Sequence, residues 1–317
     1  MDTRINRVDL KEKLRRQALL VGFDVAGFAP PNPPPNGHYL AEWLAAGRQG
    51  EMTWMARHVE QRQNPALMLD GVGSILVVGT NYRPPDNPLD SLQDPEAMSV
   101  AACARNRDYH LVLKKQLHQV HQWLEGEVGH PVPARMFVDT APVMEKPLAV
   151  LAGLGWQGKN TLLVSRRFGC WLLLAELFLT LPLPPDEPER DHCGDCRRCQ
   201  DACPTQALAL PYRLDARQCL AYMTIEARGA FPERGRQVLG NRVYGCDNCV
   251  AVCPFNRFAP VTQKTDFLPR SELQEPKLAD FVALEEGRFR EIFRQSPIKR
   301  LGRERFLRNL DMALKNK

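Results

Sequence analysis

Long apolar runs are nearly absent from this sequence. The most continuous, Trp171 to Leu183, contains Glu176 and Pro182 and is shorter than the roughly 20 apolar residues a membrane-spanning helix needs. Met1 to Lys13 mixes acids and bases without an apolar stretch, so it lacks the signature of a secretory leader, and a cytoplasmic protein with no membrane partner is expected. Charge of one sign is also scarce. A net charge of +5 permits a polyanionic partner but serves solubility equally well. Internal repeats are missing apart from one doubled cysteine motif. What remains is an ordinary soluble composition, 44% hydrophobic and 25% charged over 317 residues, enough for one large domain or two to three smaller ones.

Cysteine is where the sequence departs from the ordinary. Cys193, Cys196, Cys199 and Cys203, followed by Pro204, read C-x2-C-x2-C-x3-C-P. Cys246, Cys249 and Cys253, followed by Pro254, repeat the end of that pattern, and Cys219 lies between the two groups. In a reducing cytosol, thiols this dense are metal ligands or redox groups rather than disulfides. Three cysteines at x2 spacing reach three corners of one [4Fe–4S] cubane, and in two-cluster ferredoxins the fourth ligates the other cluster. That crossover gives Cys193, Cys196, Cys199 and Cys253 for cluster one, and Cys203, Cys219, Cys246 and Cys249 for cluster two. Two structural zinc sites are the alternative. Zinc accepts C-x2-C pairs, but three cysteines at x2 spacing and two Cys-Pro endings favour iron–sulfur. Cys219 is the departure, since a long insertion separates it from Cys246. Asp191 and His192 beside Cys193 read as surface groups.

Apolar positions at Leu10, Leu14, Ala18 and Val21 predict a helix from Val8 to Val21, with Asp9 as its cap and Gly22 at its end. Tyr39 to Ala46 and Leu111 to Leu124 also read as helices, the second with basic and His residues outward. Phe23 to Phe28, Ser74 to Gly79, Arg135 to Val138 and Cys170 to Leu181 read as strands, the last too apolar for a solvated edge. Pro30 to Asn36 is a proline-rich loop. The alternation predicts an α+β layer domain over residues 1–185. A Pro-rich acidic linker, Pro182 to Glu189, would lead to a cysteine domain over 186–262, and a basic helical segment would follow over 263–317.

Gly153-Leu154-Gly155-Trp156-Gln157-Gly158 matches G-x-G-x-x-G, and with Lys159 it nearly matches a phosphate loop. Asn160 stands where a phosphate loop needs a hydroxyl for Mg2+. Glu145 to Leu151 reads as a short helix, where a dinucleotide fold requires a strand. A plain glycine turn and a site for another bulky cofactor remain open.

Several stretches together resemble the epoxyqueuosine reductase family. They are Asp108-Tyr109-His110, Phe137-Val138-Asp139-Thr140-Ala141-Pro142-Val143, Gly153 to Thr161, Ile225-Glu226, Gly240-Asn241-Arg242-Val243-Tyr244-Gly245-Cys246-Asp247, the two cysteine motifs and Ser296-Pro297-Ile298-Lys299-Arg300. The resemblance runs in order from about Glu51 onward. It implies a cobalamin-dependent, two-[4Fe–4S] enzyme that converts epoxyqueuosine to queuosine at the wobble position of tRNA. The implied fold is α+β: a nitroreductase-like cobalamin-binding α/β domain, similar also to the core of reductive dehalogenases, with a ferredoxin-like two-cluster domain and a short helical C-terminal segment. Many members carry HEAT-like repeats at the C-terminus, and this sequence reads as a short, monomeric form without them. An external donor of reduced flavodoxin or ferredoxin type is implied.

The resemblance also assigns residues. Asp139 is the expected proton donor, and donation at neutral pH would need a pKa raised by burial. Read locally, Asp139 or Thr140 equally suits capping a helix that starts near Pro142. Arg62, Cys103, Asp139, Lys159, Asn160, Thr161 and Asp247 are expected against cobalamin, with Lys159, Asn160 and Thr161 at its tail or phosphate. Cys103 stands where many relatives have an aromatic, and among Ala101, Ala102 and Ala104 it also reads as a small core residue. Cys170 reads as core. The basic face from Arg294 to Arg308 either meets tRNA phosphates or is a solvated helix. Two rivals remain. One is a corrinoid reductase acting on a small molecule, such as a dehalogenase-like protein, although the export signal of respiratory dehalogenases is missing. The other is a bare electron-transfer protein, which would not need residues 1–185.

Overall fold

The computed structural model describes residues 6–316; Met1 to Ile5, part of the segment read for a leader, and Lys317 lie outside the described residues. Four antiparallel strands form the main sheet in the spatial order Val25–Ala29, Ser74–Asn81, Leu172–Leu179, Ala134–Phe137. All eight residues of Ser74–Asn81 are buried, because both faces of the sheet are covered. Leu76 and Val78 pack with Leu10, Leu14, Leu113 and Leu117 from the Arg7–Val21 and Tyr109–Val128 helices. Ile75 and Val77 point the other way, onto Leu148 and Ala149 of the Glu145–Leu151 helix. The period-2 alternation of side chains thus feeds two apolar layers, and that explains the unbroken apolar run Ile75 to Val78 in its middle.

Asn6, not Asp9, caps the first helix, accepting Val8 N at 3.0 Å and Asp9 N at 3.3 Å. The helix starts one residue earlier than predicted, which puts Asp9 in the first turn, where its charge favours the helix dipole. The predicted linker is also not loose. Asp186 pairs with Lys11 at 2.7 Å and Arg15 at 2.9 Å and accepts Phe28 N at 2.8 Å, pinning residues 182–189 to the sheet.

The insertion between Cys219 and Cys246 docks onto the sheet domain. Its strand Arg242–Tyr244 pairs in parallel with Ser99–Val100, and Ala101 N donates to Tyr244 O at 2.8 Å. Tyr222, in the Leu220–Ile225 helix, accepts Glu51 N through its hydroxyl at 2.7 Å. Beyond residue 262 the chain is mostly single 3-10 turns, with two longer helices, Glu286–Ile292 and Arg303–Leu314. Phe281, Phe289, Phe293 and Phe306 form an aromatic cluster there that reaches Met98, Val100 and Tyr244. Apolar clusters therefore run across the boundaries expected at residues 185 and 262.

Gly245 marks the tightest point of this seam. Its φ is +75°, and a Cβ there would stand 2.3 Å from the Ala101 Cβ. Strain and overlap together cost about 1–3 kcal/mol. Gly245→Ala is expected to lower the urea midpoint accordingly, whereas Gly126→Ala, where an added Cβ meets nothing within 4 Å, leaves it unchanged or raised.

Candidate active site

The strand Ala134–Phe137 delivers Asp139 to a turn at its end, where Asp139 takes a left-handed φ of 56°. Asp tolerates that region better than most side chains, at about 1 kcal/mol. Across from it, the Tyr109–Val128 helix begins with Asp108 as cap. That start places two donors on one carboxylate oxygen: Tyr109 Oη donates to Asp139 Oδ2 at 3.1 Å, and His110 Nε2 lies 3.2 Å from the same atom. Asp108 Oδ1 faces the other imidazole nitrogen, Nδ1, at 2.6 Å. Arg300, from the C-terminal segment, brings Nη2 to 3.5 Å from His110 Nδ1.

An imidazole between two carboxylates is stabilised as the cation, in which both nitrogens donate. Burial opposes this, yet the hydrogen bonds to Asp108 and Asp139 prevail and hold His110 above its usual pKa. Asp139 responds in the opposite sense. Solvent reaches 53% of its side chain, although protein crowds it closely enough that burial pushes its pKa up. The bonds from His110 and Tyr109 and the charges of His110 and Arg300 outweigh that burial, and the net shift is downward. The raised pKa expected for Asp139 is thus reversed: of the two, His110 holds a proton in preference to Asp139.

Two further carboxyls lie behind Asp139. Glu145 Oε1 accepts the Asp139 amide at 2.5 Å. Glu176, register partner of Phe137, is fully buried with neither carboxyl oxygen bonded. Burial, followed by the charge of Glu145, pushes it far above the carboxylate range. Glu176 leaves one trace in the sequence, as the lone acid in an apolar strand. Tyr109, His110 and Arg300 stand in stretches that carry the family resemblance, but nothing local gives them or Glu145 a role, because their meeting is tertiary.

Cys103 belongs to the same recess. Burial, then the charges of Asp247 and Asp139, push its thiol up to about 12, so it is neutral at physiological pH. Asp247 Oδ2 accepts Ala102 N at 2.7 Å, which joins the Cys246–Cys249 turn to the Cys103 turn. Burial pushes Asp247 up to about 6. Arg62 is buried, with its guanidinium 5.5 Å from the Trp54 ring and its Nε unbonded. Burial lowers its pKa, and the charge of Asp139 partly restores it.

Lys159 and Asn160 fall elsewhere. Lys159 Nζ donates to Gly194 O and, at 3.1 Å, to Cys196 O. Buried Asn160 donates to Cys249 O at 3.1 Å and Cys170 Sγ at 3.5 Å. These side chains staple the cysteine loops, because the turn that carries them faces the cysteine region. Thr161, at φ 66°, closes that turn with its amide on Gly158 O at 2.8 Å. Trp156 donates from Nε1 to Cys193 Sγ at 3.5 Å. The G-x-G-x-x-G stretch is a packing turn: a Cβ on Gly155 would stand 2.2 Å from Val164 O.

All ten cysteines are free thiols, and the eight of the two motifs are half-buried. Their mutual influence falls into two sets. After burial, Cys249 is pushed up by Cys219, Cys246, Asp247 and Cys203, and Cys199 by Cys193 and Cys253. Core Cys170 hydrogen-bonds to Cys253 and holds it down at about 7. Much of the basic C-terminal face is used internally. Arg305 donates to Leu301 O and Ile225 O, both at 2.9 Å, and Arg308 donates to Met223 O, Ala227 O and Gly229 O at 2.8 Å. Arg294, Lys299 and Arg300 stay exposed.

Residues 62–140 match the family model described as epoxyqueuosine reductase QueG, DUF1730, and residues 192–256 match that of a 4Fe-4S double cluster binding domain. The epoxyqueuosine reductase of Xanthomonas campestris pv. campestris is 43% identical over 310 residues, covering 97% of this chain and 87% of that one. The Escherichia coli enzyme is 40% identical over 308 residues, with 97% and 81% covered. A crystal structure of epoxyqueuosine reductase with an epoxyqueuosine-modified tRNA-Tyr stem loop superposes at a TM-score of 0.89 and 30% identity, covering 98% of this chain and 82% of that one. The Bacillus subtilis enzyme, solved with its catalytic loop swung out of the active site, superposes at 0.87 and 29% identity, with 98% and 82% covered. With sequence and fold shared over nearly its whole length, the chain belongs to the epoxyqueuosine reductase family.

Proposed function

We propose that this protein reduces epoxyqueuosine to queuosine at the wobble position of tRNA, the last step of queuosine biosynthesis, using cobalamin and two [4Fe–4S] clusters. One observation carries the reading: an open Asp139 carboxylate, backed by a proton-bearing His110, shares a recess with Cys103, which Asp247 ties to the cysteine turn. The orphaned buried Nε of Arg62 and the neutral Cys103 thiol suit a large cofactor seated there. Arg62, Cys103 and Asp247 would hold it, while Lys159 and Asn160 support the clusters. The two thiol sets support Cys193, Cys199 and Cys253 as ligands of one cluster, with Cys196 joining them by its spacing, and Cys203, Cys219, Cys246 and Cys249 as ligands of the other. When bound, cobalamin supplies reducing power to the epoxide and the clusters pass it electrons singly.

Opening an epoxide to an alkene consumes two electrons and two protons and releases water. Asp139 meets the departing oxygen. Resting as a carboxylate, it takes a proton from His110 across the 3.2 Å contact and hands it on, so developing negative charge on oxygen is neutralised as it forms. Tyr109 fixes the carboxyl rotamer, and Asp108 holds the imidazole. The second proton comes from solvent. Exposed Arg294, Lys299 and Arg300 meet tRNA phosphates. Electrons come from a reduced flavodoxin- or ferredoxin-type donor, which suits the groove of about 750 Å3 beside Cys253 lined by Arg83, Arg198 and Arg257. The protein acts as a cytoplasmic monomer.

Anaerobic reconstitution with iron, sulfide and cobalamin, followed by assay on an epoxyqueuosine-containing stem loop, tests the reading. Asp139→Asn is expected to keep cofactor content and lose about 10²- to 10⁴-fold in turnover; full activity would remove Asp139 from the mechanism. Because His110 titrates above its usual 6.5, its proton is held below that raised value and is lost as pH rises through it. Turnover should fall along that alkaline limb, and His110→Gln should abolish the limb along with most of the rate. Stem-loop affinity should drop steeply between low and moderate salt. Lys299→Ala should shallow the log–log slope by about 0.7–0.9, and an unchanged slope would remove that residue from the RNA contact.

A further inference from the structure

Glu145 has no part in the proton path above, yet it makes the contact that holds Asp139 in place. Among the described residues, the backbone-to-backbone hydrogen bonds of 139–143 are only local, Thr140 N to Val138 O at 2.6 Å and Val143 N to Ala141 O at 2.8 Å. Asp139 itself sits at a left-handed φ of 56°. Three side chains restrain it: Tyr109 and His110 on its carboxylate, and Glu145 on its amide. The first two contacts depend on Asp139 being an anion and weaken once it has taken up a proton. The Glu145 contact reaches the backbone and persists.

We propose that Glu145 is a positioning residue whose ionised carboxylate latches the Asp139 turn into the recess and whose protonation lets the turn go. The reading rests on Asp139 acting as the proton donor. The Bacillus subtilis relative, solved with its catalytic loop swung out, is a family member in which that loop takes a second position.

The surroundings of Glu145 make the latch respond to the state of the site. Asp139, Lys146, His110, Tyr109 and Glu176 are the titratable groups that act on it or respond to it. Burial, then the charge of Asp139, push Glu145 up to about 7, so it changes charge near neutrality. Glu176, fully buried behind it and pushed far above the carboxylate range, stays neutral. When Asp139 is charged it discourages a second anion, and the latch loosens. When Asp139 carries its proton that repulsion is gone, and Glu145 ionises and grips. The loaded acid is thereby held in, and the spent acid is freed to leave with the product.

Hydrogen exchange of the peptide spanning residues 138–146, measured on the cofactor-free protein and corrected for intrinsic pH dependence, tests this without any turnover. Protection of the wild-type peptide is expected to be about tenfold higher at pH 8.5 than at pH 5.5, the difference between a charge-assisted and a neutral acceptor. Glu145→Gln keeps the acceptor but not the charge, and should show the low, pH-independent protection at both values. Asp139→Asn should shift the protection midpoint to lower pH. On reconstituted enzyme, Glu145→Gln should lower kcat while leaving KM for the stem loop unchanged. Equal protection in wild type and Glu145→Gln across the range overturns the latch, whatever the activity. If protection follows the pattern while Asp139→Asn remains fully active, the latch stands and the role given to Asp139 fails.

Discussion

The 2.7 Å hydrogen bond from the Ala102 amide to the Asp247 carboxylate is the contact on which the rest of this architecture depends. On one side of it, Asp247 sits between Cys246 and the Asn248–Ala251 turn of helix that carries Cys249. On the other, Ala102 opens the turn that carries Cys103. The parallel pairing of Ser99–Val100 with Arg242–Tyr244 aligns the two segments, and the missing side chain at Gly245 lets them touch. Burial raises the Asp247 pKa to about 6, so near neutrality its charged form still accepts the amide, and a charge-assisted bond is roughly twice as strong as a neutral one. One short bond thus sets how near an electron-carrying loop lies to the recess that holds Asp139.

Around that recess the protein keeps several acids close together without leaving them all charged. Asp139 and Asp108 are held ionised by the imidazolium between them, Glu145 lies near neutrality, and Glu176 stays protonated in the sheet. Like charges at short range cannot all ionise in a low dielectric, so the sheet and the Tyr109–Val128 helix together grade their protonation. The direct consequence is that His110 holds a proton in preference to Asp139, an acceptor that solvent reaches. A second is that the one basic residue the C-terminal segment contributes to this site, Arg300, stands beside His110, while Arg305 and Arg308 are used in holding that segment to the insertion.

Much of this was legible in the residues, and the parts that were not share a cause. Short apolar runs located the four main-sheet strands, and helical periods the two long helices Arg7–Val21 and Tyr109–Val128, to within a few residues, because burial writes itself into local pattern; the short strands such as Arg242–Tyr244 carry no such run. The cysteine spacing carried the cluster chemistry for the same reason: ligands to one cubane must be near in sequence to turn around it. Asp139 could be placed at a strand end, but its charge state could not, since that depends on Tyr109, His110 and Arg300 arriving from distant segments. The family resemblance placed Lys159 and Asn160 toward cobalamin, and no local pattern showed that their side chains would hold the cysteine loops. In the fold their loop faces the cysteines, a matter of which side of the sheet the turn exits. Asp186 looked like linker for want of any local sign that Lys11 and Arg15 would meet it.

The central claim is that the clusters and the catalytic recess are joined through the Asp247 seam. Its most direct test is the structure of the anaerobically reconstituted protein, with anomalous data collected at the iron and cobalt edges. The account predicts iron on the two thiol sets, with the set containing Cys246 and Cys249 nearer the cobalt, and cobalt in the recess bounded by Arg62, Cys103 and Asp139. Cobalt found instead beside the Gly153–Thr161 turn, or nearer to Cys193 and Cys196 than to Cys249, would contradict it.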